Sequence, residues 1–230
     1  MISFRRLLLL TLIALIPVML TAQELTVEQS YLQQSIEHMI IREMSRAEGR
    51  EAKLVALEYI GSAIERGNLS DEVRTSLEYM ALEGVANVTR ENGRITNNLP
   101  DIRVRAARYL GEFGTPEAKD SLIRMVLLDD EPMVTTEAIR SLANIGINEG
   151  GETVGAIVWM VDRFNRVTPN DILALSAIEA FEAFAAIDGF IDPAAIQTIR
   201  GISSNYRLTR PVRERALLAL DQLIRLPPPN

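Results

Sequence analysis

The 230-residue chain contains no cysteine, one histidine (His38), one tryptophan (Trp159) and only two lysines, Lys53 and Lys119. The missing cysteine excludes disulfides, thiol catalysis, iron–sulfur clusters and the usual structural zinc sites. A lone histidine excludes any multi-histidine metal centre, so no metal and no cofactor is expected. Aromatic residues are 5% of the chain, so the 47% apolar share rests on Ala, Leu, Ile and Val. That is the composition of packed helices more than of a β-sandwich. No Gly-rich phosphate loop, Gly-x-Ser-x-Gly elbow or His-Glu-x-x-His sequence is present. His38 stands between Glu37 and Met39 on a helical stretch and reads as a helix-surface residue. The chain is therefore expected not to be an enzyme.

What is there begins at the N-terminus. Arg5 and Arg6 precede Leu7 to Leu20, which carries no charge. A basic start and about fourteen apolar residues make the layout of a secretory signal peptide, too short for the roughly 30 Å hydrocarbon core. Residues 1–22 are read as that signal, with cleavage after Ala22, which predicts a periplasmic or secreted protein with no stable membrane span afterwards. Arg5 and Arg6 taken from the 24 basic residues leave 22 against 31 acidic ones, a net charge of −9. That balance speaks against nucleic acid as a partner, because phosphate binding needs clustered positive charge.

Self-comparison shows a repeat. Residues 102–111 read Ile-Arg-Val-Arg-Ala-Ala-Arg-Tyr-Leu-Gly, and 212–220 read Val-Arg-Glu-Arg-Ala-Leu-Leu-Ala-Leu. Both fit aliphatic-Arg-x-x-Ala-x-x-x-Leu, whose first, fifth and ninth positions share one helical face. Val134, Ala138 and Leu142 repeat the spacing with Thr135 in the Arg slot, and Leu173, Ala177 and Phe181 do so more loosely. Ala52, Ala56 and Ile60, with Lys53 in that slot, form the earliest copy. Second helices are predicted between these anchors, over Asp71 to Ala86, Pro116 to Leu128, Glu152 to Phe164 and Pro193 to Ser203. Thr115-Pro116 and Asp192-Pro193 place a cap before a proline at the first helical position, and Asp129-Asp130-Glu131-Pro132 is read the same way.

The succession Asp101-Ile102-Arg103, Ala106-Ala107, Leu110-Gly111, Gly114, Pro116-Glu117-Ala118, Leu122 and Asp129-Asp130-Glu131-Pro132-x-Val134 resembles the HEAT-repeat family of armadillo-type α-solenoids. The resemblance covers roughly residues 51–225. It implies an all-α superhelix of about four to five helix pairs whose second helices line a concave, protein-binding face. It also implies that Arg103 and Arg213 pair with an Asp near an inter-repeat turn, Asp129 or Asp130, in a structural role. The domain layout expected is a signal peptide over 1–22, an N-terminal capping helix over 23–50, repeats over 51–226 and a Pro-rich tail over 227–230. The capping helix carries the stripe Tyr31, Leu32, Ile36, Met39, Ile40 and Met44, with Thr26 and Gln29 as a capping box. Residues 87–100 form an inserted polar loop, with a short hairpin around Asn92-Gly93 as one option.

Trp159 lies about 140° from the apolar face of its helix, together with Gly155, Asp162 and Arg163. It either anchors a partner or packs against the adjoining repeat, with packing slightly favoured. Tyr79, Glu78, Arg124, Gln197 and Arg200 also lie on second helices and join Trp159 and Arg163 as candidate partner-binding residues. The sequence thus predicts a non-enzymatic protein–protein interaction scaffold of the cell envelope. The alternatives are a self-associating subunit of an envelope assembly and, third, an enzyme of the kind of HEAT-like chromophore lyases.

Overall fold

A computed structural model describes residues 27–226. The segment read as a signal peptide, Thr26 of the proposed capping box and the tail 227–230 lie outside the described residues. The chain divides into two compact units, 1–36 and 37–230. In the first, the described residues are helical and expose Tyr31, Leu32 and Ile36.

Ten α-helices are present among the described residues: α1 Val27–Arg46, α2 Arg50–Glu65, α3 Asp71–Ala81, α4 Pro100–Phe113, α5 Pro116–Leu128, α6 Pro132–Ile145, α7 Glu152–Val167, α8 Asp171–Asp188, α9 Pro193–Ser204 and α10 Arg210–Leu223. From α2 onward they form two layers. First helices α2, α4, α6, α8 and α10 stack each on the next, and so do second helices α3, α5, α7 and α9. This is an all-α solenoid of four helix pairs followed by a further first helix. No described helix is long and apolar enough to cross a membrane.

The repeat anchors explain the stacking. Ala56, Ala106, Ala138, Ala177 and Ala216 are all fully buried, one in each first helix. A methyl side chain at the centre of the contact lets successive first helices approach closely. Two glycines tighten it further. A Cβ on Gly61 would stand 2.5 Å from the Tyr109 hydroxyl of the next first helix, and one on Gly111 would stand 2.7 Å from Ser141 Cβ and 3.0 Å from its Cα. Ion pairs bridge successive units as well. Arg50 Nε meets Asp101 at 2.8 Å, Arg108 Nε meets Glu137 at 2.7 Å, and Arg215 grips Glu182 through both terminal nitrogens.

Helix starts follow the capping chemistry. Thr115 Oγ1 accepts from Ala118 N and Asp192 Oδ1 from Ala194 N, each just before a proline in the first turn. The start of α6 departs from the expectation. Its cap, Glu131, makes no side-chain capping bond, and Asp129 Oδ1 instead accepts from Glu131 N at 2.9 Å. Helix α3 also stops at Ala81, short of the predicted Ala86. Beyond it the chain turns so that Glu83 reaches Lys53, and Gly84 takes a left-handed φ of 76° against the backbone of Asn97.

The inserted segment is an antiparallel hairpin, β1 Arg90–Glu91 and β2 Arg94–Ile95. Asn92 and Gly93 both have positive φ, 48° and 80°, as a type I′ turn requires. Asn97 closes its base, accepting from Thr89 N at 2.9 Å and donating to Asn87 O at 2.8 Å.

Candidate functional site

The cation slot after the first anchor is an internal fastening. Arg103 is 2% exposed and forks onto Asp129, Nε to Oδ2 at 2.6 Å and Nη2 to Oδ1 at 3.2 Å. Its Nη1 donates to Asn98 Oδ1 and to the Glu83 carbonyl, which ties α4 to the preceding pair. Lys53 repeats the arrangement one unit earlier. It is 1% exposed, lies 2.8 Å from Glu83 Oε2 and donates to the carbonyls of Ser45 and Ala47. Glu83 carried no motif of its own, and only its place at the end of a second helix, like that of Asp129, could have drawn attention to it. Arg213 departs from the pattern. It donates to the Leu208 carbonyl and, among the described residues, meets no carboxylate.

Asp130 also differs from its neighbour. It points outward and pairs with Arg163 of α7. The Arg163 guanidinium lies 5.5 Å from the centroid of the Trp159 ring, so Trp159, Arg163 and Asp130 form one surface cluster. Trp159 is 47% exposed.

The other candidates divide into two groups. Arg124 of α5 and Gln197 and Arg200 of α9 are exposed on the second-helix face with Trp159. Glu78 and Tyr79 of α3 are half-buried and occupied. Glu78 takes the Arg74 guanidinium, and the Tyr79 ring lies 5.7 Å from the Lys53 ammonium. Tyr79 belongs to the surroundings of Lys53 and Glu78 to an ion pair within its own helix, so neither joins the exposed cluster.

Two glycines on this face have no contact among the described residues that requires them. Gly155, one turn before Trp159, and Gly201, on the neighbouring α9, sit in helices, where glycine costs about 0.5–1 kcal/mol relative to alanine. A Cβ on either would meet nothing within 4 Å. Arg124 of α5, Arg166 of α7 and Arg200 of α9 have no carboxylate partner among the described residues. The face therefore offers an aromatic ring, exposed helix backbone at Gly155 and Gly201, and guanidinium groups without a carboxylate partner among the described residues. Among the described residues no group of three or more metal-ligating side chains is placed to hold a metal ion.

Residues 94–182 match the family model for HEAT repeats. No match to the chain was found among curated proteins.

Proposed function

We propose that this chain, which carries HEAT repeats, is a non-enzymatic protein-interaction scaffold of the cell envelope, binding a protein partner on the face built by its second helices. The observation that carries the reading is Trp159, a large aromatic residue left half in water one turn from Gly155, whose missing side chain no contact among the described residues demands. Aromatic and arginine residues dominate binding energy where proteins meet. The bare backbone at Gly155 lets a partner approach the helix closely. A stack of preformed helix pairs loses little conformational entropy on binding. The envelope location is supported by the basic start and uncharged apolar run of residues 5–20.

The test is quantitative crosslinking and affinity capture from native envelopes with the parent chain, Trp159→Ala and Gly155→Ala. A partner held by the parent is expected to be lost by Trp159→Ala, with a cost of at least ~2 kcal/mol, the size of a hot-spot truncation. Gly155→Ala is expected to weaken capture while raising stability by about 0.5–1 kcal/mol. Equal capture by all three proteins would remove this face as the binding surface. Recovery of the chain in the cytoplasm would remove the envelope assignment.

Helix α10 supports a second reading, self-association. Its Leu217 and Leu218 are exposed, an apolar pair that a second copy of the chain would cover. Sedimentation showing mass that rises with concentration, and falls back for Leu218→Glu, would favour it.

A further inference from the structure

A cavity of about 380 Å³ opens where the turn before α7 faces the end of α8. Its size falls within the range of small-molecule sites. The hollow has a structural origin. Helix α8 runs 18 residues where α4, α6 and α10 run 14, and Ile187 in its extra turn lies against Gly146. The chain then passes through two successive left-handed glycines, Gly150 at φ 64° and Gly151 at φ 77°, leaving open space beside the overhang.

The floor is apolar and aromatic, made by the buried Phe181 and Phe184 with Val154 and Ile191. The half-buried rim carries Phe190, Asp188 and Asp192. No lysine, arginine or histidine lines the cavity. Asp188 Oδ2 accepts from Asn148 Nδ2 at 3.3 Å and Asp192 Oδ1 from Ala194 N at 2.7 Å. The second oxygen of each is free, and neither carboxylate has a basic partner among the described residues. Asp101, Asp129, Asp130 and Asp221, by contrast, each meet an arginine. Asp188 is also the last residue of α8, where negative charge opposes the helix dipole. It therefore works against its own helix unless a positive group sits beside it.

We propose that this cavity binds an organic cation, a primary ammonium or guanidinium carried on an apolar stem. The apolar floor removes the stem from water, and the two rim carboxylates supply the counter-charge. A bare divalent ion would find two carboxylates where hard cations want six or more oxygens, with phenyl rings in the remaining directions. A neutral or anionic guest would leave both rim charges uncompensated. The site is separate from the Trp159 face and does not depend on that reading.

The experiment is calorimetric titration of the full chain with n-hexylammonium, n-hexanol and hexanoate, and with acetyl-Gly-Lys-Gly-amide. The ammonium is expected to bind at least tenfold more tightly than the alcohol, hexanoate not at all, and added salt to weaken the ammonium alone. Asp188→Asn/Asp192→Asn is expected to cost tenfold or more for the ammonium and to leave the alcohol unchanged. Asparagine still caps α9 and still meets Asn148, so the fold is retained. Should the double variant fail to fold, each single variant is expected to weaken the ammonium severalfold. Binding of both amine probes identifies a side chain of another protein as a guest, and binding of hexylammonium alone identifies a free amine. Alcohol bound as tightly as ammonium, a double variant as tight as the parent, or no binding by any probe would overturn the proposal.

Discussion

Asp129 and Asp130 are neighbours in the chain and live in opposite surroundings. Asp129 is 2% exposed and holds the fork of Arg103, whereas Asp130 meets Arg163 with most of its side chain in water. Breaking a buried pair strands a charge without solvent, while a surface pair is screened and worth about 0–1 kcal/mol. Asp129→Asn is therefore expected to cost about 3–5 kcal/mol in urea unfolding, and Asp130→Asn less than about 1 kcal/mol. Both aspartates were visible in the sequence as an acidic run before a proline. Which of them faces inward depends on helix phase at the preceding turn, and the residue spacing leaves that open by one position. Lys119 makes a pH-dependent case. The Glu152 carboxylate that accepts from it, with Asp120 assisting, raises the Lys119 pKa above its ordinary 10.5. The stabilisation is complete below that ordinary value and disappears as pH rises through the higher folded one. The parent is expected to lose its stability advantage over Glu152→Gln above about pH 10.5 in chemical denaturation at stepped pH.

The helices themselves were legible because each first helix repeats a nine-residue apolar face and each proline start is marked by a cap or an acid. All five central alanines are buried, so Ala106→Leu is expected to destabilise by about 1–3 kcal/mol through overpacking, read from denaturant midpoints. Gly111→Ala belongs to the same contact and is expected to cost a similar amount, about 1–3 kcal/mol, since its Cβ would press on the Ser141 backbone. What stayed illegible lies where tertiary contacts override local preference. The stretch after Ala81 has helical composition through Ala86 and is pulled out of the helix by the Glu83 carboxylate turning to Lys53. The extra turn of α8 is written in a run of Ala, Phe and Ile that fits a helix of any length up to Gly189, and the cavity beneath it leaves no mark on a linear sequence.

At the scale of the solenoid, every layer contact is between consecutive units. Stability is then close to a sum of local terms and nearest-neighbour interfaces, and opening begins where a helix has a neighbour on one side only. Among the described residues α10 has a first-helix neighbour on one side only, and its amides are expected to exchange with deuterium before those of α4 and α6, which are flanked on both sides. Exchange at equal rates across the stack would mean one all-or-none unit. The face around Trp159 has a consequence for how the molecule reports on itself. The chain's only indole already sits half in water. Its fluorescence wavelength should therefore shift little when the protein melts. It should move toward the blue when something covers that face. Emission from this protein is a poor thermometer of folding and a direct gauge of surface occupancy.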